Sequence, residues 1–288
     1  MESGSSIERY NWLRYKAIFG CDMSLYREDV TLNSPFSTLN YICNLTQSIM
    51  IPYWMSRTQL LLGDEKVEKL QSKNVLVVGL GGVGGICAEM IARAGIGKMT
   101  IVDADVVDLS NANRQIPALH STEKRLKAEV MAERIRDINP AIELTVIPEF
   151  IEGERTREIV QNGHFDYAVD CIDTLSAKVN FIKICIDLNI PMVSSLGAGG
   201  KMDPSQVKTS FLSETHSCKL ARYVRKHLNK VDISNVKAVF SPEDIDEDRV
   251  IVTEKALPKK SIIGTISYMP AIFGCTCASV VIRALLEI

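Results

Sequence analysis

From about residue 58 onward the chain alternates two apolar rhythms. Thr58 to Leu70 places charged residues between apolar positions at helical spacing. After it, short apolar runs take turns with longer amphipathic segments. The runs predict strands over 74–78, 99–103, 143–147, 167–172 and 191–195. The segments between them predict helices over 84–95, 127–138, 154–162 and 176–188. The helix at 127–138 stops at Asn139-Pro140, because a residue before proline is pushed out of the helical region. Strands that alternate with helices pair in parallel and need helical crossovers. The expected fold is therefore α/β: a Rossmann-like, doubly wound, mostly parallel sheet with helices on both faces.

After Gly197 the rhythm changes. Ala198-Gly199-Gly200 reads as a turn, 206–211 as a strand, 214–229 as a basic helix and 241–249 as an acidic loop. The apolar run 271–282 reads as a buried strand or helix, since a bilayer span needs about 20 apolar residues. Three regions follow: a leader over 1–52, without periodicity and expected to be flexible; a nucleotide-binding domain over 53–200; and a C-terminal α+β extension over 201–288 that completes the same fold.

Composition changes this picture little. The net charge of -2 gives no global attraction to nucleic acid, so any RNA contact must use a local patch. The one candidate is the basic helix: Lys219, Arg222, Lys226 and Lys230 share a face, with Arg225 beside them. That face is either simply solvated or a site for a phosphate backbone. Eight cysteines include no CxxC pair, and Cys275 and Cys277 are spaced poorly for structural zinc. With no secretory signal, these read as reduced thiols in packing roles and the expected location is cytoplasmic.

The chemistry sits at strand ends. Val75 to Gly85 reads Val-Leu-Val-Val-Gly-Leu-Gly-Gly-Val-Gly-Gly: a buried strand, a phosphate-binding turn carrying Gly79, Gly81, Gly82 and Gly84, and a helix N-terminus with its free N–H groups. Asp103, ending the next strand, can grip a ribose hydroxyl, and Asp105 follows it. Asn111-Ala112-Asn113-Arg114-Gln115 forms the loop beyond, Lys127 opens the next helix, and Cys171-Ile172-Asp173 ends the fourth strand. A redox dinucleotide needs the acidic residue but no cations at the far phosphate. Arg114 and Lys127 suit a triphosphate and departing pyrophosphate, and Asp173 suits Mg²⁺. Each also has a plain alternative: Arg114 and Lys127 as surface cations, Asp173 as a helix cap, Asp105 as a solvated loop acid. Cys171 reads as core rather than nucleophile, and His120 and His164 as loop residues.

In combination, these motifs resemble the adenylating domain of the ubiquitin-activating-enzyme-like superfamily from about Arg57 to Gly200. Asn113-Arg114-Gln115-Ile116, the 127–135 segment Lys-Ala-Glu-Val-Met-Ala-Glu-Arg-Ile and the 197–204 segment Gly-Ala-Gly-Gly-Lys-Met-Asp-Pro resemble its tRNA-modifying dehydratase branch. The resemblance implies that 53–200 is an adenylating domain. Gly81 and Gly82 would admit the ATP phosphates, Asp103 would hold the ribose, Arg114 and Lys127 would hold phosphates and Asp173 would hold Mg²⁺. It further implies a homodimer in which Arg57 reaches the partner's phosphates, a monovalent cation (K⁺ or Na⁺), tRNA as substrate and a sulfur-relay partner of the cysteine desulfurase type. The implied reaction is ATP-dependent cyclisation of N6-threonylcarbamoyladenosine. Two alternatives stand beside it: adenylation of the C-terminus of a small ubiquitin-like sulfur carrier, against which the missing CxxC pairs weigh, and a nucleotide-binding scaffold without turnover. One departure from the superfamily is local. Relatives carry a glycine shortly before the lysine, whereas Glu123-Lys124-Arg125-Leu126 precedes Lys127 here.

Overall fold

The computed structural model describes residues 51–245, 250–252 and 261–288; the leader expected over 1–52 lies outside the described residues except for its last two positions. Helices α1 (Ser56–Leu62) and α2 (Asp64–Gln71) come first, divided at Gly63, whose φ of +80° suits glycine. Then follow β1 (Asn74–Val78), α3 (Gly84–Arg93), β2 (Lys98–Val102), α4 (Lys127–Ile138), β3 (Glu143–Ile147), α5 (Gly153–Asn162), β4 (Tyr167–Asp170), α6 (Leu175–Asp187) and β5 (Met192–Ser195). Beyond them lie β6 (Lys208–Phe211), α7 (Lys219–His227), β7 (Lys237–Phe240), the hairpin strands β8 (Val250–Val252) and β9 (Ser261–Ile263), and α8 (Tyr268–Leu286).

Seven strands make one sheet in the order β3-β2-β1-β4-β5-β7-β6, parallel throughout except where β6 meets β7. The order reverses between β1 and β4, which opens a crevice at the carboxyl ends of those two strands. β1 is apolar throughout because it is covered twice. Val75 and Val77 pack with Ile91, Met131 and Phe273 on one face. Leu76 and Val78 pack with Ile159, Phe181 and Val224 on the other. The α/β, mostly parallel architecture expected from the sequence is the one observed.

Three differences and one resolved alternative are informative. The fourth strand ends at Asp170 rather than residue 172, because the Asp170 carboxylate accepts from the Ile172 amide at 3.0 Å and turns the chain out of the ladder. The basic helix is shorter than 214–229: Ser217 takes a φ of +53°, so the helix cannot start before Lys219. β7, not foreseen, inserts between β5 and β6. Of the two readings of the apolar C-terminal run, strand or helix, the helix is the one observed. Its 19 residues meet the length and apolarity of a membrane span, yet Met269, Phe273, Cys277 and Val281 are buried in the core against α3.

Candidate active site

The glycine turn is shaped by contacts that leave no room for side chains. Gly79 has a φ of +88°, and a Cβ there would stand 2.7 Å from the Cys171 carbonyl oxygen. At Gly84, the first residue of α3, a Cβ would stand 1.7 Å from the Gly79 carbonyl oxygen. A Cβ on Gly82 would meet Pro270 at 2.9 Å and the Arg114 carbonyl at 3.1 Å, whereas Gly81 has nothing nearer than the Gln115 side chain at 3.7 Å. The turn is thus wedged between the loop after β4, the Asn111–Gln115 loop and the start of α8, with Gly81 on its open side.

Beside the turn stand two acids and a lysine tied together by hydrogen bonds. Asp103 accepts from the Leu80 amide at 2.5 Å through one carboxylate oxygen and from the Asp105 amide at 2.8 Å through the other. Burial pushes the Asp103 carboxyl above its ordinary value, against the pull of those two amides and of Lys127. Asp105, largely exposed, receives the Lys127 ammonium at 2.8 Å, and its carbonyl accepts from the Lys127 amide at 2.9 Å. Lys127 itself is only 4% exposed, so it is not a surface lysine of the first helical turn. Its charge is held in place by Asp105 and directed toward the end of β2.

The loop before Lys127 closes without the glycine. Lys124 adopts a φ of +66°, the left-handed region glycine favours, and its amide donates to the Val107 carbonyl at 2.9 Å. Val106 and Leu126 then pair as an isolated bridge, which delivers Lys127 to Asp105.

Arg114 is half-buried. Its guanidinium donates to the Asn113 side-chain oxygen at 2.7 Å and to the Ser110 carbonyl at 3.0 Å. The exposed Asn113 amide in turn donates to the Thr265 carbonyl at 2.9 Å, which ties this loop to the segment before α8. Asp173 is exposed and stands just before Thr174, the N-cap residue of α6, so it does not occupy the cap position itself. Arg57 lies on the exposed side of α1 and makes no ion pair among the described residues. The structure therefore brings the glycines, Asp103, Asp105, Asn113, Arg114 and Lys127 to one end of the sheet, with Asp173 at the adjoining strand end, and leaves Arg57 facing outward.

The cysteines carry no activated thiol at this site. The neighbouring Cys277, by its hydrogen bond, together with burial pushes the Cys171 thiol well above its ordinary value, and burial does the same for Cys87.

A buried charge network was not foreseen. Asp170, Lys178 and Ser194 are each 0% exposed. The Lys178 ammonium donates to Asp170 at 2.6 Å, to the Ser195 carbonyl at 2.9 Å and to the Ser194 hydroxyl at 3.3 Å; Ser194 donates to Asp170 at 2.6 Å. This network joins the ends of β4 and β5 directly behind the Cys171–Asp173 loop. A signal existed: an acid in an otherwise apolar strand needs a partner, and Lys178 lies in the crossover helix that follows.

Among the described residues no cluster of three or more His, Cys, Asp or Glu side chains could enclose a metal. A single carboxylate such as Asp173 suits only a cation that takes most of its ligands from elsewhere.

Residues 55–288 match the ThiF family. The chain is 38% identical over 200 residues to the tRNA threonylcarbamoyladenosine dehydratase of Bacillus subtilis, covering 69% of this chain and 77% of that protein. The solved tRNA N6-threonylcarbamoyladenosine dehydratase of Escherichia coli in complex with ATP superposes with a TM-score of 0.73 at 32% identity, over 81% of this chain and 93% of that one. Its complex with AMP superposes with a TM-score of 0.74 over 83% and 97%.

Proposed function

The chain belongs to the ThiF family, and from that premise we infer that it is an ATP-dependent adenylating enzyme that dehydrates N6-threonylcarbamoyladenosine in tRNA to its cyclic form. The observation that carries this reading is the buried Lys127, pinned to Asp105 beside a glycine turn whose Gly81 is open. A dinucleotide site has no use for a fixed cation there, whereas a triphosphate does. The similarity to dehydratases at 38% identity, and to one solved with ATP and with AMP, supports the same choice.

The chemistry follows from the leaving group. The threonyl carboxylate of the nucleoside is a poor electrophile. Its oxygen attacks the α-phosphorus of ATP, forming an acyl-adenylate and releasing pyrophosphate. The urea-like group of the same nucleoside then attacks the acyl carbon, closes the ring and displaces AMP, so no enzyme nucleophile is required. That agrees with the protonated, buried thiols. The protein's part is positioning and charge. Gly81, on the open side of the turn, admits the phosphates, Gly82 lets the turn pack against Pro270 and the Arg114 carbonyl, and Arg114 and Lys127 offset the charge that builds on pyrophosphate. Asp103 receives the ribose while keeping the turn in register through Leu80. Asp173 would hold Mg²⁺ against the phosphates, where the ion would supply further neutralisation.

The site is completed by a second copy of the chain. Arg57, Leu60 and Leu61 share one face of α1. Leu60 and Leu61 are 84% and 82% exposed, and Tyr53 just before them is 93% exposed. An apolar surface of this kind around an arginine fits an isologous contact that delivers Arg57 to the partner's phosphates.

Pyrophosphate release from ATP, measured with and without tRNA, tests the reading. Stimulation by tRNA is expected, and a Lys127→Met variant should lose it. Stimulation by a small carrier protein and not by tRNA would replace the dehydratase with the carrier-activating function.

A further inference from the structure

We propose that the exposed face of α7, with Arg222 and Lys226 at its centre, is the surface that receives the phosphate backbone of the tRNA whose nucleoside enters the site. The proposal rests on the dehydratase reading and adds where the polyanion lies.

Ala221 and Val224 are buried in the core beneath α7, alongside Phe181 of α6, and this fixes the opposite face outward. Lys219, Arg222 and Lys226 recur at helical spacing on that face and are exposed; Lys230, expected on the same face, is exposed in the turn beyond the helix end at His227. Among the described residues no ion pair engages Arg222, Lys226 or Lys230. Arg225, one position off the stripe, is instead committed to the Thr215 hydroxyl. Tyr223 is 45% exposed, and the Arg222 guanidinium lies 5.3 Å from its ring centroid. An exposed aromatic ring beside exposed cations is the pairing that holds a nucleic acid strand by charge and base stacking.

Location ties this stripe to the site. A Cβ on Gly197, in the loop after β5, would stand 4.0 Å from both Cys218 and Leu220. The start of α7 therefore abuts the nucleotide end of the sheet. A cavity of about 400 Å³ opens there, lined by Lys219, Arg222 and Arg225 with Asp244 and Ile245 at its border. Ile245 also packs on Gly200, the last glycine of the same loop. The cations thus begin at the rim of the site and run outward along the helix, about 5.4 Å per turn. ATP alone has no need of a stripe leading away from its pocket. A polyanion that inserts one nucleoside does. The chain's net charge of -2 makes this local concentration the source of the attraction.

The test uses the full chain and an unfractionated tRNA pool. Affinity is measured across a salt series for the parent, for R222E/K226E and for the milder R222Q/K226Q, with ATP affinity and melting temperature followed in parallel. Both doubles should weaken tRNA binding at least about tenfold. With two phosphates no longer neutralised by the protein, the log–log salt slope should flatten by about 1.4–1.8. ATP affinity and melting temperature should match the parent's. If the doubles bind tRNA with the parent's affinity and slope, the surface is wrong and the dehydratase reading stands. If the parent binds no tRNA while a carrier protein stimulates its pyrophosphate release, both fall together.

Discussion

Replacing Lys178 with methionine removes one member of a fully buried charge pair while keeping the volume and length of the side chain. The Asp170 carboxylate then stays at 0% exposure with two of its donors, the Ser194 hydroxyl at 2.6 Å and the Ile172 amide at 3.0 Å. The Ser195 carbonyl loses its ammonium donor at 2.9 Å. Breaking a buried pair in this way costs about 3–5 kcal/mol. Because two neutral donors remain on Asp170, the lower end of that range applies, about 3 kcal/mol. At about 2–4 °C per kcal/mol for a domain of this size, the melting temperature should fall by about 6–12 °C. Urea denaturation monitored by circular dichroism reads the free energy directly. The decisive comparison is with D170N/K178M, which removes the stranded charge and leaves an amide for Ile172. The double variant should be more stable than K178M alone, since the cost lies in the unpaired ion rather than in a lost attraction. A K178M loss below about 1 kcal/mol, within the ordinary range for point substitutions, would refute this reasoning. So would a double variant whose loss equals the sum of the two singles.

Lys124→Gly relieves a left-handed residue at φ +66°, worth about 1–2 kcal/mol, against about 0.5–1 kcal/mol of added chain entropy. Stability should stay level or rise by up to about 1.5 kcal/mol, and a drop in urea midpoint would show that the lysine side chain matters instead. Burial alone would raise the Glu89 carboxyl, but the hydrogen bonds from Arg134 and Arg93 outweigh it and hold the group below its ordinary 4.5. Its stabilising contribution is therefore present above pH 4.5 and lost as pH falls through the lower folded value. Glu89→Gln should be less stable than the parent near neutrality, with the gap closing in acid; a constant gap across the titration would contradict this. Mixing inactive Arg57→Ala and Asp173→Ala protomers should restore part of the lost pyrophosphate release, because each hybrid dimer retains one intact site. No rescue in verified hybrids would show that Arg57 does not act across subunits.

The sequence made legible what local pattern encodes. The five parallel strands and their crossover helices follow from runs such as Val75–Val78, which are buried on two faces and so must be apolar. The glycine turn was readable because Gly79 and Gly84 have backbone neighbours where a Cβ would be. Position in three dimensions was not readable. β7, only Lys237–Phe240, pairs with β5 and β6 far from it in the chain, and no adjacent turn announces it. Lys127 and Lys178 have the sequence surroundings of ordinary helical lysines. Only the sheet places one beside Asp105 and the other beneath two strand ends. For the same reason, the glycine-less loop before Lys127 could not be judged from residue types alone, since it depends on Lys124 accepting a backbone conformation that most side chains avoid.

The contact between the glycine turn and α8 bears on how the molecule comes into being. Gly82 is closed by Pro270, and the Val83 carbonyl lies where a Cβ on Gly274 would touch it at 2.5 Å. During synthesis the turn and β1 leave the ribosome long before α8 does, so the phosphate-binding backbone emerges without its wall. Ligand capture therefore cannot assist the early steps of folding. A nascent chain arrested before residue 268 would carry every residue of the glycine turn and still lack the support that fixes it. Nucleotide affinity should arise only when that helix docks, and it can serve as a clock for that docking event.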